Sequence, residues 1–198
     1  MHEYSIDVDR NKILFVLAAL SILISGLATS FLNNVIDSIP FIGFSVSIAS
    51  MGIFGLLYSL FNKFIWKTKL LHQLGIVQTP NLNGTWRGEF QSSYYDFEES
   101  LPAVLIIEQT WSKICIRGKF NHSKSSSYTT SIKVNDGGGT KLFYSYFNDK
   151  DPEHYKKGMS NHRGYGRLEI TNDKLDGRYF NDPTNNKNHG ALQLTKSN

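Results

Sequence analysis

The sequence predicts an N-terminal two-helix transmembrane hairpin followed by an all-β domain, an eight-stranded up-and-down barrel. Two long apolar runs near the start of the chain predict the hairpin. Beyond them, short alternating runs separated by turn residues roughly every 8–12 positions predict the barrel. The composition of the 198-residue chain, 40% hydrophobic and 19% charged, hides this division because it averages two chemically different halves.

The first apolar run, Ile13–Leu32, has 20 residues, and the second, Phe41–Phe61, has 21. A helix of about 20 residues crosses a hydrocarbon core of about 30 Å, so each run is long enough to span a membrane. The few residues between them have turn chemistry, which predicts a hairpin. A cleavable signal peptide is the alternative interpretation of the first run. That run exceeds the apolar stretch of about 7–15 residues in such peptides, and three acidic residues precede it.

The basic residues predict the orientation of the hairpin. Arg10 and Lys12 precede the first run, Lys63, Lys67 and Lys69 follow the second, and the connecting loop has none. Lys and Arg accumulate on the cytosolic side, so both chain ends are expected in the cytosol and the protein is expected to be a two-span protein of the bacterial inner membrane. The predicted segments are a cytosolic N-terminus 1–12, spans 13–32 and 41–62, an external loop 33–40, a cytosolic linker 63–79 and a cytosolic barrel 80–198.

Small residues recur at four-residue spacing in both runs. They are Ser21, Ser25 and Thr29 in the first, and Gly43, Ser47, Gly55 and Ser59 in the second. Such spacing lets helices approach closely in lipid, either within one hairpin or between chains. Neither span contains a charged residue, which argues against a transporter.

The second half of the chain contains eight alternating runs. Short connections between them favour sequential antiparallel pairing, and eight strands in that order can close into a barrel. The predicted strands are Thr85–Gln91, Leu101–Gln109, Lys113–Phe120, Ser127–Val134, Thr140–Phe147, Arg163–Ile170, Lys174–Phe180 and Gly190–Thr195.

The motifs of this half favour a binding domain over an enzyme. Asp136–Thr140 is glycine-rich but lacks the Lys-Ser/Thr of a phosphate loop, and no Gly-x-Ser-x-Gly motif occurs. The histidines have irregular spacing and one cysteine, Cys115, is present, so we assign no catalytic residue, no metal ligand and no cofactor. Residues 71–198 carry 16 basic and 13 acidic side chains. This excess is too small for a DNA or RNA reader.

Aromatic and basic residues remain as candidates for ligand binding. Aromatic faces stack on nucleobases, and guanidinium groups match phosphate oxygens, so the combination suits a small anionic ligand with planar bases. Alternation assigns Arg117 to the face opposite Ile116, outside the barrel unless it lies near an opening. The candidate ligand-binding residues are Trp111, Arg117, Tyr128, Tyr144, Tyr146, Arg167, Arg178 and Tyr179.

The whole arrangement resembles a known family. Two N-terminal spans and a short linker precede Pro-Asn-Leu-Asn-Gly-Thr-Trp-Arg-Gly at residues 80–88, with Gly-Arg-Leu-Glu-Ile and Lys-Leu-Asp-Gly-Arg-Tyr-Phe near the end. This plan resembles the two-transmembrane β-barrel effectors of bacterial CBASS antiphage systems. The Gly84-x-Trp86 opening is also similar to the first strand of lipocalin-like barrels, in which the Trp plugs one barrel end.

The resemblance implies a receptor and an effector in one chain. A nucleotidyltransferase of the CD-NTase type would make a cyclic dinucleotide, the cytosolic barrel would bind it, and self-association of the spans would disrupt the lipid bilayer and kill the infected cell. Two other classes stay open on the residues alone. One is a membrane-tethered barrel that binds a fatty acid or other apolar molecule, and the other is a non-catalytic membrane adaptor. A membrane enzyme is the least supported class.

Overall fold

A computed structural model of the chain describes residues 1–35, 42–151, 161–182 and 188–197. Over these ranges the chain forms three α-helices and ten β-strands. The helices are α1 (Asn11–Val35), α2 (Ile42–Lys63) and α3 (Lys69–Gln73). The strands are β1 (His2–Glu3), β2 (Ser5–Ile6), β3 (Gly84–Ser92), β4 (Leu101–Gln109), β5 (Lys113–Phe120), β6 (Ser123–Lys133), β7 (Lys141–Lys150), β8 (His162–Thr171), β9 (Lys174–Asn181) and β10 (His189–Ser197).

Strands β3 to β10 form a closed antiparallel barrel. Each strand pairs with the next along the chain, and β10 pairs back with β3 over Gly190–Ser197. The predicted eight-stranded up-and-down barrel is therefore confirmed. We call the end where β3 begins, at Gly84, the base, and the end where β3 finishes, at Ser92, the mouth.

The barrel interior is apolar at the base and becomes aromatic and polar toward the mouth. Trp86 is 1% exposed and its Nε1 donates a hydrogen bond of 2.9 Å to the Leu82 carbonyl. Leu105, Ile107, Ile114 and others pack around it in one buried cluster. Inward-facing serines, asparagines and a histidine replace these aliphatic residues near the mouth. Side chains therefore fill the barrel interior at the base, and its polar groups lie toward the mouth.

Two strands extend three or four residues further toward the mouth than the sequence predicts, whereas the other strand ends there agree within one residue. Strand β6 begins at Ser123 rather than Ser127, and β7 continues to Lys150 rather than ending at Phe147. The inward-facing residues of these extensions, Ser123, Ser125 and Asn148, are buried but polar. Hydropathy therefore does not reveal that they belong to the strands, although their side chains continue to alternate between the inner and outer faces.

The membrane region is a separate unit, residues 9–78. Among the described residues, one helix, Asn11–Phe31, is long and apolar enough to cross a membrane. Its side chains are unusually exposed, with Phe15 80%, Leu27 72% and Phe31 69% accessible. So much exposed apolar surface is not expected of a core helix in a soluble protein and suits contact with lipid.

The second predicted span, 41–62, corresponds to α2, which packs against α1. The described residues identify a single spanning helix by length and composition, so the two-helix hairpin is not confirmed by the structure. Residues 36–40 of the predicted external loop lie outside the described residues.

Residues 1–8 belong to the barrel unit. The sequence predicts them only as part of a cytosolic N-terminus, 1–12. In the structure β1 pairs with β5 and β2 pairs with β6, so this segment lies in the barrel wall.

Candidate ligand-binding site at the barrel mouth

A cavity opens at the mouth of the barrel. The space inside it that is open to a water-sized molecule is about 80 Å³, which is smaller than the roughly 300–1,000 Å³ of typical ligand pockets. Aromatic rings from β3, β5, β7 and β9 form much of its wall, and polar side chains of β6 to β9 complete it. The aromatic members are Phe90, Tyr94, Tyr95, Phe120, Tyr144, Tyr146 and Tyr179.

Two glycines of β8 make room for two of these tyrosines. Across the β7–β8 ladder, Tyr146 pairs with Gly164 and Tyr144 pairs with Gly166. A Cβ atom at either glycine would overlap the facing ring, so each ring lies over bare backbone. The two ring centroids are 5.7 Å apart. The two glycines of β8 thus fix the positions of the Tyr144 and Tyr146 rings in the cavity.

A buried polar cluster stands beside the tyrosines. Asn148 Nδ2 lies 3.2 Å from His162 Nε2, and the Tyr146 hydroxyl donates a hydrogen bond of 3.1 Å to Asn181 Oδ1. Asn148 is 8% exposed, yet its Oδ1 has no hydrogen-bond partner among the described residues. Buried polar atoms in folded proteins ordinarily have partners. A ligand in the cavity can supply the missing one.

Three phenol groups of the cavity, those of Tyr144, Tyr146 and Tyr179, stay protonated well into the alkaline range. Burial raises the pKa of Tyr144. Burial also raises the pKa of Tyr146, and the neighbouring phenols of Tyr144 and Tyr179 add to this shift. The pKa of Tyr179 is raised chiefly by burial, against a hydrogen bond with Ser92. Near neutral pH all three therefore keep their protons. The Tyr146 hydroxyl donates to Asn181, while those of Tyr144 and Tyr179 can donate a hydrogen bond to an anion.

Lys150 supplies a positive charge to the cavity wall. Burial lowers its pKa, and the neighbouring Asp151 carboxylate partly offsets this effect. A buried ammonium group is stabilised by an anion placed beside it, because the anion replaces the lost solvation. Lys150 is therefore suited to a phosphate group.

The structure brings together three of the eight predicted site residues. Tyr144, Tyr146 and Tyr179 line the cavity, while Trp111 is buried at the base, where its carbonyl accepts a hydrogen bond from Tyr4. The remaining four lie on the outer face of the barrel. They are Arg117, which pairs with Glu108, and Tyr128, Arg167 and Arg178, all exposed. Strand alternation explains this placement, because their neighbours in sequence point inward.

Several cavity residues were missed by the sequence reasoning. Asn148 and Lys150 lie two and four positions after Tyr146 and so share its face of β7. Extending the alternation of Tyr144 and Tyr146 by two more steps would have found both. Asn181 lies two positions after Tyr179 on the same face of β9, so the same step would have found it. His162 gives no such signal, because the next inward residues of β8, Gly164 and Gly166, are glycines.

Comparison with known proteins identifies the family. One family model, described as the transmembrane helices of Cap15, matches residues 11–67. Another, described as the cyclic dinucleotide receptor domain of Cap15, matches residues 77–196, more than half of the chain. The chain belongs to the Cap15 family. A curated relative from Yersinia aleksiciae, CD-NTase-associated protein 15, is 30% identical over 210 aligned positions that cover 98% of this chain and 97% of the relative.

The Cap15 assignment gives each part of the chain a role. The barrel is the cyclic dinucleotide receptor domain, and residues 11–67 form the transmembrane region. The chain is thus a membrane-associated CBASS effector with a receptor barrel, as the resemblance predicted. Cap15 domains are described as receptor and membrane domains rather than by a reaction.

Proposed function

We propose that this chain binds a cyclic dinucleotide in the cavity at the barrel mouth and responds by self-association of its transmembrane helices, which disrupts the bacterial inner membrane. A CD-NTase supplies the cyclic dinucleotide during phage infection, and loss of the membrane barrier kills the infected cell. One observation carries the proposal. The buried, unpartnered Oδ1 of Asn148 stands in an aromatic cavity beside Lys150, inside a cyclic dinucleotide receptor domain.

The chemistry of the cavity suits both parts of such a ligand. Aromatic side chains stack on bases at roughly 1–3 kcal/mol per base. Phenol hydroxyls and the Lys150 ammonium can meet the phosphates, while Asn148 and His162 offer hydrogen bonds to a base edge or a ribose hydroxyl. A fatty acid would favour an aliphatic lining, and the observed wall is aromatic and polar.

The membrane part of the proposal uses two spans. Besides α1, helix α2 exposes large apolar side chains, with Met51 77% and Leu56 61% accessible. Basic residues lie before α1 and at the end of α2, a distribution that favours cytosolic placement of both chain ends. On this topology the receptor barrel lies in the compartment where a CD-NTase product would be made.

Glycines of α1 and α2 that have free space beside them support association between chains. A Cβ atom added to Gly26, Gly52 or Gly55 would meet nothing within 4 Å. Small residues on a lipid-facing surface allow helices of neighbouring chains to approach closely. The ligand can drive this association only if the associated form binds it more tightly than the isolated form does.

Dye-loaded liposomes of bacterial lipids that contain the full chain provide the test. We expect one member of a panel of cyclic dinucleotides to release the dye and to increase the size of cross-linked species. A fatty acid is the comparison ligand. Ligand binding without dye release would contradict membrane disruption, and a response to the fatty acid alone would contradict the nucleotide receptor.

The affinity for the cyclic dinucleotide is expected to depend on pH through Lys150. The phosphates favour the protonated ammonium, so the pKa of Lys150 is higher in the complex than in the free chain. Affinity is then full below the lowered pKa of the free chain and falls as pH rises through it, by about tenfold for each pKa unit gained in the complex. Calorimetric titration from neutral to alkaline pH measures this slope. The charge of Lys150→Arg does not titrate in this range, so its affinity should change much less with pH. An equal slope in both proteins would contradict the contact between Lys150 and a phosphate.

A bulky residue at Gly55 is expected to hinder association in the membrane without changing the receptor. Gly55→Leu fills the open surface of α2, so ligand-induced dye release should fall several-fold while the affinity for ligand stays the same. Leu56→Phe is the matched control, because it enlarges an already large exposed neighbour. Wild-type dye release from Gly55→Leu would remove this face of α2 from the proposed contact.

A further inference from the structure

Residues 2–7 occupy a gap in the barrel wall. Strands β5 and β6 pair directly only near the mouth, where Arg117–Phe120 pairs with Ser123–Ser126. Toward the base the two strands separate. There β1 pairs antiparallel with β5 at residues 113 and 114, and β2 pairs parallel with β6 at residues 131 and 132. The segment thus satisfies backbone groups on the facing edges of both strands.

Side chains hold both ends of the segment in this gap. At the mouth side, His2 Nε2 lies 2.9 Å from Ser127 Oγ, which also accepts a 2.9 Å hydrogen bond from the backbone N–H of Ile116. At the base side, the Asp7 carboxylate accepts hydrogen bonds from the backbone N–H groups of Val134 at 2.7 Å and Asn135 at 3.1 Å. Desolvation opposes ionisation of Asp7, but these hydrogen bonds outweigh it and leave its pKa below the usual value.

Tyr4 fixes the middle of the segment in the core. It is 6% exposed, and its hydroxyl donates a 2.9 Å hydrogen bond to the Trp111 carbonyl. Gln109 Nε2 in turn donates to the Tyr4 hydroxyl at 3.2 Å, while Gln109 Oε1 accepts from the Leu82 N–H at 2.8 Å. Withdrawal of Tyr4 would empty part of the core and leave buried polar groups of the base unpaired, which is costly.

We propose that the gap between β5 and β6 is a binding site for residues 2–7 of this chain, and that its occupancy anchors the first transmembrane helix to the receptor barrel. Helix α1 begins at Asn11, so Val8, Asp9 and Arg10 alone separate it from the last bound residue. Three residues span at most about 11 Å. A displacement of the barrel wall therefore reaches the start of α1 with little slack.

The same two strands also border the ligand cavity. Phe120, at the end of β5, and Ser123, at the start of β6, line it. Strands β5 and β6 thus connect the cavity at the mouth with the bound segment near the base. The consequence for the membrane rests on the proposed function, whereas binding of the segment in the gap does not.

Hydrogen exchange on the full chain in nanodiscs tests the binding itself. The peptide that contains residues 1–8 is expected to exchange slowly, and Tyr4→Ala should raise its exchange at least tenfold. Exchange at the rate of an unstructured peptide in the wild-type chain would overturn the proposal. This measurement requires no ligand, so it decides the binding site even if the chain proves to bind no cyclic dinucleotide.

A flexible insertion tests the anchoring role. About eight Gly and Ser residues placed between Val8 and Asp9 add a span of roughly 15 Å. We expect ligand-induced dye release to fall by more than half while the ligand affinity and the exchange of residues 1–8 stay unchanged. The control is the same insertion between Gly137 and Gly138 in the β6–β7 turn, where added atoms meet nothing at Gly137. Wild-type dye release with the Val8–Asp9 insertion would overturn the anchoring role.

A disulfide between Glu3 and Lys113, which face each other across β1 and β5, provides an independent variant. It combines Glu3→Cys and Lys113→Cys in a chain with Cys115→Ser. Because the segment stays bound during the response, the oxidised protein should release dye as well as the reduced protein does. Loss of dye release on oxidation, with recovery on reduction, would show that the segment must leave the gap and would overturn the anchor.

Discussion

Gly164→Ala is expected to weaken binding of a cyclic dinucleotide by more than tenfold. The added Cβ would overlap the Tyr146 ring, so the ring must shift within the cavity that it lines. Displacement of the ring also breaks the hydrogen bond from the Tyr146 hydroxyl to Asn181. Overpacking of this kind typically costs about 1–3 kcal/mol of stability, so the barrel should still fold. Calorimetric titration of the full chain in detergent gives the affinity.

Gly137→Ala is the matched control for this substitution. It makes the same chemical change in an exposed turn, where the new methyl group meets nothing within 4 Å. Its affinity should equal that of the wild-type chain. Equal and unchanged affinities in both variants would show that the position of Tyr146 does not matter for the ligand, and would contradict the proposed cavity.

Trp86→Ala is expected to cause the largest loss of stability in the barrel. The side chain is 1% exposed at the base and packs within the main apolar cluster. Truncation of a buried Trp to Ala costs about 3–5 kcal/mol, which corresponds to a fall in Tm of roughly 10–20 °C for a domain of this size. Thermal unfolding followed by near-ultraviolet circular dichroism measures the shift.

Trp86→Phe separates packing from hydrogen bonding at the same position. It keeps an aromatic ring but removes the Nε1 donor, which leaves the Leu82 carbonyl without that partner. We expect a much smaller fall in Tm than for Trp86→Ala. If the two variants lost equal stability, the hydrogen bond rather than the packed ring would stabilise the base.

The sequence predicts the barrel well because most strands carry a clear alternation. The bounds of β4 and β5 agree with the prediction residue by residue, since Leu105, Ile107 and Ile116 alternate with outward residues over their whole length. Strand β6 lacks such an alternation at its start. Its first inward residues are serines, and their outward neighbours are also polar. Hydropathy therefore does not alternate there and gives no strand signal.

The proposed binding site was less predictable for a related reason. Arginine and tyrosine side chains can both bind a nucleotide. Residue type alone therefore did not show that the arginines point outward and the tyrosines inward. Arg167 and Arg178 pair with each other on the outer face of β8 and β9, whereas Tyr144 and Tyr146 point inward over glycines. The role of residues 2–7 has no local signature, because two-residue strands are too short to show a period.

Calorimetric titration of the full chain in detergent with a panel of cyclic dinucleotides, beside the Asn148→Ala variant, tests the central claim most directly. We predict saturable binding of one ligand per barrel. We also predict at least tenfold weaker binding to Asn148→Ala, whose unpaired Oδ1 the ligand is proposed to satisfy. Undiminished affinity in that variant, or binding of a fatty acid and of no cyclic dinucleotide, would contradict a nucleotide site at the barrel mouth.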